Sequence, residues 1–208
     1  DPSLEDEGRA WFKKIEDGDE EARAIWNWFK DITLKDAARV YDMLGVEFDS
    51  YAGESFYMDK MDVVIDELRE KGLLTISQGA SVVDLEEDKM PPCIILRSDG
   101  ATLYHTRDLA AAVYRKNTYD FDKCLCVVAS QQDLHFRQLF RVLEKMGKPW
   151  AKDCVHVSFG MISFEGQAFS TRKGRVVYLE DVLNQAMQKA LDIINEKSPN
   201  LANKEEVA

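Results

Sequence analysis

The chain has 208 residues, 45% of them hydrophobic and 31% charged, with 38 acidic against 27 basic side chains and a net charge of −11. This is the composition of a globular protein, and no apolar run approaches the ~20 residues of a membrane-spanning helix, so no membrane partner is expected. The acidic balance excludes a free-standing binder that neutralises phosphates over its whole surface, and no DNA partner is expected.

The first residues, Asp1-Pro2-Ser3-Leu4-Glu5-Asp6-Glu7, are acidic where a secretory signal would be basic, and there is no initiator Met, so the chain reads as a trimmed piece. Residues 4 to about 45 read as helical, with apolar residues near helical spacing and Gly45 as the stop. Phe12, Trp26, Phe29, Val40 and Leu44 lie along this stretch, where core packing is favoured over a partner-binding stripe. A short strand is expected over 46–49, then a loop through Gly53. A second amphipathic helix is expected from about Tyr57 to Lys71, with Met61, Val64, Ile65 and Leu68 on one face and Gly72 at its end.

From Leu73 to Leu85 the pattern turns to β, in Leu74-Thr75-Ile76 and Ser81-Val82-Val83, before Pro91-Pro92 punctuates the chain. Beyond this point continuous apolar strands alternate with helices. Residues 93–96, 125–129 and 155–159 read as strands, and 106–116, 132–146 and 179–196 as helices. This alternation indicates a parallel α/β sheet, which binds ligands at the carboxyl ends of its strands. Cys93, Cys124, Cys126 and Cys154 show no Cys-x-x-Cys pair and fit reduced core thiols of a cytoplasmic protein. The three histidines are widely spaced, so no metal site is expected.

Three polar segments fall at strand ends. In the first, residues 102–105 read as β-like and Thr106 as the N-cap of the next helix, with Asp108 in its first turn. Tyr104, four residues before Asp108, adds an aromatic hydroxyl, and the pair makes a plausible grip for a small cation. A carboxylate that takes a planar fork in two-pronged fashion favours guanidinium over ammonium. The second segment, Ala129-Ser130-Gln131-Gln132-Asp133-Leu134-His135, offers the Gln132 amide as donor and acceptor. Asp133 suits either a ribose hydroxyl or helix capping, and His135 either a ligand or packing. The third runs from Gly160-Met161 to Ser170-Thr171-Arg172-Lys173-Gly174-Arg175, the one concentrated cationic site of the chain. It suits triphosphate charge that builds up in a transition state, or an ordinary solvated turn.

The segments DGATLYHTRDLAAA, VVASQQDLHFRQLF, HVSFGMI and STRKG, in this order and at this spacing, resemble the second half of the catalytic domain of the arginyl-tRNA synthetases, a class I family. The resemblance implies an α/β fold: the second half of a Rossmann-like catalytic domain, with a parallel sheet and flanking helices, over 93–178. A helical and α+β connective insertion over 1–92 would precede it, and an exit helix over 179–208 would lead toward an anticodon-binding domain. It implies an arginine–tRNA ligase that uses ATP, with Mg²⁺ as the ATP complex, to activate arginine and charge tRNA(Arg). Tyr104, Asp108 and Gln132 match positions that bind arginine. Asp133 and His135 fall in the ribose-side motif, and Gly160 and Met161 match the strand end that contacts adenine. Ser170, Arg172 and Lys173 stand in the family's version of the KMSKS loop, with the principal phosphate contact open between Arg172 and Lys173. The HIGH-type signature is a departure: no His-x-Gly-His occurs among these residues, so the chain alone is expected to be inactive. A nucleotidyl-transfer domain for another substrate and a non-catalytic interaction module are the rival readings.

Overall fold

In the computed structural model the described residues are 3–161, 163–164, 167–168 and 178–207. The chain divides into a helical unit, Asp1–Ser50 with Ser170–Ala208, and an α/β unit, Tyr51–Phe169.

The helical unit begins with α1 (Ser3–Asp17) and α2 (Glu20–Leu44). The expected single helical stretch is broken at Gly18, whose φ of 87° turns the chain, and Asp19 restarts it as an N-cap by accepting from the Ala22 amide at 2.9 Å. Gly45 closes α2 in the left-handed conformation, as its place in the sequence predicts. The expected strand over 46–49 does not form; Phe48 lies edge-on against the Tyr41 ring, 4.8 Å between centroids. In the second segment of this unit, α6 (Leu179–Lys197) ends at Ser198 and a short α7 (Lys204–Val207) follows. Arg39 of α2 and Glu180 of α6 pair at 3.1 Å. Among the described residues of the unit only Ala22 is buried. Phe12, Phe29 and Leu44 are exposed and Trp26 and Val40 half-buried, so the expected core stripe is only partly covered by the described residues.

In the α/β unit the expected helix from Tyr57 starts later. A 3₁₀ segment, Glu54–Lys60, leads into α3 (Met61–Glu70), on which Met61, Val64, Ile65 and Leu68 are all buried as their spacing requires. β1 (Leu74–Ser77) and β2 (Ala80–Val83) form a hairpin through Gln78 and Gly79. Both turn residues have positive φ, 49° and 83°, which suits the right-handed twist of the strands. β3 (Cys93–Leu96) then pairs antiparallel with β2, giving the order β1-β2-β3.

This corrects the expectation that 93–96 joins the parallel sheet. A short apolar run reports burial and not strand direction. The parallel pair is β4 (Cys124–Ala129) with β5 (Cys154–Phe159), in register from Cys124↔Cys154 to Ala129↔Phe159. Helix α4 (Tyr104–Tyr119) precedes β4, and α5 (Asp133–Lys145) makes the crossover to β5 that a parallel pair needs. Beyond β5, β6 (Ser163–Phe164) and β7 (Gln167–Ala168) pair antiparallel.

The core lies between α3, β3, α4 and α5, where Leu68, Ile95, Leu109, Val142 and Leu143 are fully buried. Side chains alternate along β4 and β5. Cys126 and Val128 face the helices, while Leu125, Val127, Val155 and Val157 are exposed on the other face.

Candidate functional site

The first polar segment folds differently from its sequence expectation. Helix α4 already starts at Tyr104, with Leu103 at the N-cap and no side chain capping it. Only Thr102 of the expected strand makes a bridge, with Leu96. Thr106 is not the cap. It is fully buried, and its hydroxyl donates to the Ile95 carbonyl of β3 at 2.5 Å. That bond occupies the hydroxyl, so it does not cap the helix. With the helix starting at Tyr104, Asp108 lies beyond the first turn, too far in for helix-terminal stabilisation. Tyr104 and Asp108, four apart, share one helix face.

Asp108 finds another partner. His135, in the first turn of α5, brings Nε2 to 2.7 Å from Asp108 Oδ2. The histidine side chain is 7% exposed and the carboxylate 40%, so the ring is a buried support and the acid faces outward. A carboxylate only accepts, so His135 donates through Nε2–H; its Nδ1 is buried with no partner among the described residues. Arg107, the adjacent cation, is committed to Glu54 at 2.5 Å.

His105 stands beneath this pair. Gln138 donates its amide nitrogen to the Pro91 carbonyl at 2.7 Å, which turns its amide oxygen to His105 Nε2 at 3.2 Å. His105 must then donate through Nε2, and its Nδ1 is buried with no partner among the described residues. Burial, then the nearby His135, hold the His105 pKa down to about 4, so the ring is neutral near pH 7. The Tyr104 ring lies 4.3 Å from His105 and 5.0 Å from His135 between centroids, and the two imidazoles are 4.4 Å apart. Tyr104 is thus shelved on two histidines while half of it stays exposed.

The second segment forms a 3₁₀ turn, Ser130–Gln132, and α5 starts at Asp133. Gln132 is exposed, one helical turn before His135. Asp133 Oδ1 accepts from the Ser158 hydroxyl at 3.2 Å and lies 3.3 Å from His156 Nδ1, which ties it to the end of β5. His156 Nε2 donates to the Val128 carbonyl at 2.8 Å, and its ring stacks on Phe136. Gly160 and Met161 continue from β5; Met161 is exposed, and a Cβ on Gly160 would meet nothing within 4 Å. Ser170, Arg172 and Lys173 lie outside the described residues.

The structure thus joins Tyr104, Asp108 and His135 directly and puts Asp133 with β5. His135, which the resemblance groups with the ribose side, touches the proposed arginine side. The three histidines, widely spaced in sequence, converge on the start of α5. The available signal was the pair His135 and Gln138, three apart on an amphipathic helix, both polar where the helix is otherwise buried. Among the described residues no group of three or more His, Cys, Asp or Glu side chains is arranged to hold a metal ion. An outward carboxylate beside an exposed phenol, on a rigid buried base, is equipped to select a planar cation.

Comparisons with known proteins follow the same line. Residues 1–208 match the family described as tRNA synthetases class I (R), catalytic domain. The arginine–tRNA ligase of Clostridium beijerinckii is 62% identical over 208 residues, 100% of this chain and 37% of that protein. The arginine–tRNA ligase of Clostridioides difficile is 61% identical over 207 residues, with the same coverage. The chain therefore spans just over a third of the length of these relatives. Among solved structures, the arginyl-tRNA synthetase of Plasmodium falciparum superposes with a TM-score of 0.78 at 24% identity, over 99% of this chain and 35% of that one. That of Thermus thermophilus superposes at 0.69 and 17% identity, over 96% of this chain and 42% of that one. Both carry the same fold.

Proposed function

The chain belongs to the catalytic-domain family of the class I arginine tRNA synthetases, and from that premise we propose that it supplies the arginine-recognising part of an arginine–tRNA ligase acting in cytoplasmic translation. ATP, with Mg²⁺ as its complex, and tRNA(Arg) are the further substrates of the complete enzyme. The observation that carries this reading is the outward Asp108 carboxylate, fixed by His135 at 2.7 Å and flanked by the exposed Tyr104 ring.

Asp108 takes the guanidinium of arginine in a charge-assisted pair, Tyr104 packs along it, and Gln132 receives the polar amino-acid end. Because Oδ2 is already held, the carboxylate needs no reorientation when arginine arrives, which lowers the ordering cost of binding. Asp133, Gly160 and Met161 lie on the ATP side at the carboxyl end of β5, where a parallel sheet receives a nucleotide. The arginine carboxylate attacks the α-phosphorus and pyrophosphate departs. This step asks for alignment and charge stabilisation more than for proton transfer. Ser170, Arg172 and Lys173 are proposed to stabilise the departing pyrophosphate. Since no His-x-Gly-His signature occurs among these 208 residues, they are not expected to catalyse the exchange alone.

The test is arginine-dependent ATP–pyrophosphate exchange by the complete ligase. Asp108→Asn is expected to raise KM for arginine about 100-fold, which is about 2.7 kcal/mol, with little change in KM for ATP. Citrulline, isosteric but uncharged, is expected to compete poorly. An unchanged KM for arginine in Asp108→Asn would overturn the assignment.

A further inference from the structure

Only one of the four cysteines behaves as a simple core thiol. Cys93 is fully buried among apolar side chains, and that burial pushes its thiol up to about 12. The other three converge. Cys124 and Cys126 are two apart on β4 and so share a face. Cys154 opens β5 in direct register with Cys124. In parallel strands a registered pair projects to the same side, and here that side is the helix-covered one, since Leu125, Val127 and Val155 alternate onto the exposed face. The Cys126 and Cys154 thiols and the Arg115 guanidinium of α4 lie close enough to act on Cys124. The Cys154 thiol also reaches the Trp150 carbonyl at 3.8 Å, and Arg115 lies over the Tyr57 ring, 5.5 Å from its centroid.

Three sulfurs and one cation therefore occupy one small site at the amino ends of β4 and β5, opposite the strand ends that carry Asp133 and Gly160. All four cysteines are free in the structure, and Cys124 is only half-buried. We propose that Cys124 and Cys154 are a reversible oxidation site, at which a hydroperoxide converts the facing thiols into a disulfide.

The reaction balances in two steps. The Cys124 thiolate attacks one peroxide oxygen, the O–O bond breaks, and Cys124 becomes a sulfenic acid as hydroxide leaves and takes up the thiol proton as water. The Cys154 sulfur then attacks the Cys124 sulfur, the S–S bond forms, the S–O bond breaks, and the departing hydroxide leaves with the Cys154 proton as a second water. The two sulfurs lose two electrons and hydrogen peroxide gains them.

The environment separates the roles. The adjoining Cys126 and Cys154 thiols, reinforced by Arg115, hold Cys124 well below the thiol range, while the neighbouring Cys124 and burial push the thiols of Cys126 and Cys154 up. Once Cys124 is an uncharged sulfenic acid, that hold on the Cys154 proton is gone. Distance selects the partner. Adjacent strands lie about 4.8 Å apart, inside the roughly 4.4–6.8 Å Cα window of a disulfide, whereas residues two apart on a strand span about 6.6 Å, at its limit.

The experiment treats the purified chain with one equivalent of hydrogen peroxide, then counts thiols under denaturing conditions and maps peptides. Two of the four thiols are expected to disappear, a Cys124–Cys154 linked peptide to form, and dithiothreitol to restore all four. Cys154→Ser is expected to stop at a dimedone-reactive Cys124, and Arg115→Gln to slow thiol loss about tenfold while Arg115→Lys retains most of the rate. Loss of thiols without the linked peptide, linkage to Cys126, or peroxide consumption by Cys124→Ser at the parent rate would each overturn the proposal. The peptide map of the unmodified chain needs no variant, so a folding defect in one cannot hide the result.

Discussion

The two units of this chain spend their apolar side chains differently. In the α/β unit, α3, β3, α4 and α5 turn Leu68, Ile95, Leu109 and Leu143 onto one another until none touches solvent. In the helical unit, α2 alone runs 25 residues, yet Ala22 is the only buried side chain among the described residues, and Phe12, Phe29 and Leu44 stand exposed. An amphipathic pattern states that a face wants cover; it does not state that the cover lies in the same stretch of chain. The α/β unit closes its own core because strand pairs and helices return to each other within about a hundred residues. The helical unit relies instead on its helix ends, the Asp19 cap and the Gly45 stop, and on the surface Arg39–Glu180 pair that joins its two segments.

Four measurements test this contrast. The largest effect is expected from Leu68→Ala or Leu143→Ala, each about 2–5 kcal/mol off the α/β unit, against less than about 1 kcal/mol for Phe29→Ala in the helical unit. Peptide-resolved hydrogen exchange assigns each loss to its unit, and an equal cost for Phe29→Ala would erase the contrast.

Next is a pH effect confined to the α/β unit. His105 titrates near 4 in the fold against an ordinary 6.5. Between these values the unfolded chain binds a proton that the folded chain refuses, so stability is full above pH 6.5 and falls toward pH 4 by at most about 3 kcal/mol. Urea unfolding of His105→Asn over this range is expected to show a shallower slope.

Third, Gln138→Leu strands the Pro91 carbonyl and the His105 Nε2–H and is expected to cost about 1–3 kcal/mol, read as a lower urea midpoint. Smallest is Asp19→Ala, about 1 kcal/mol, seen as faster exchange in the first turn of α2 and nowhere in the α/β unit.

Part of the layout of the candidate site was legible before folding. Gln132 and Asp133 stand where β4 gives way to α5, as read from the sequence, whereas Tyr104 and Asp108 fall inside a helix that begins earlier than expected. The support of these residues was not legible. His135 could be read as ligand or packing, and it is buried against Asp108 at 2.7 Å. Thr106 has the composition of a cap, but its hydroxyl is taken by Ile95, eleven residues upstream. Cys124 and Cys154 are thirty residues apart and meet only through β4–β5 register.

What could be read without the fold is local: the helical face of α3, the Gly45 stop, the apolar strands, and the ordered motifs that carry the family. Those signals arise within about ten residues, where propensity and side-chain spacing act directly. The tertiary structure decided what long-range closure alone can decide. It made β3 antiparallel, began α4 at Tyr104, gathered His105, His135 and His156 around one helix start, and left Phe12, Phe29 and Leu44 of the helical unit exposed. Each depends on which distant group fills a hydrogen bond or covers an apolar face, and no local pattern names that partner.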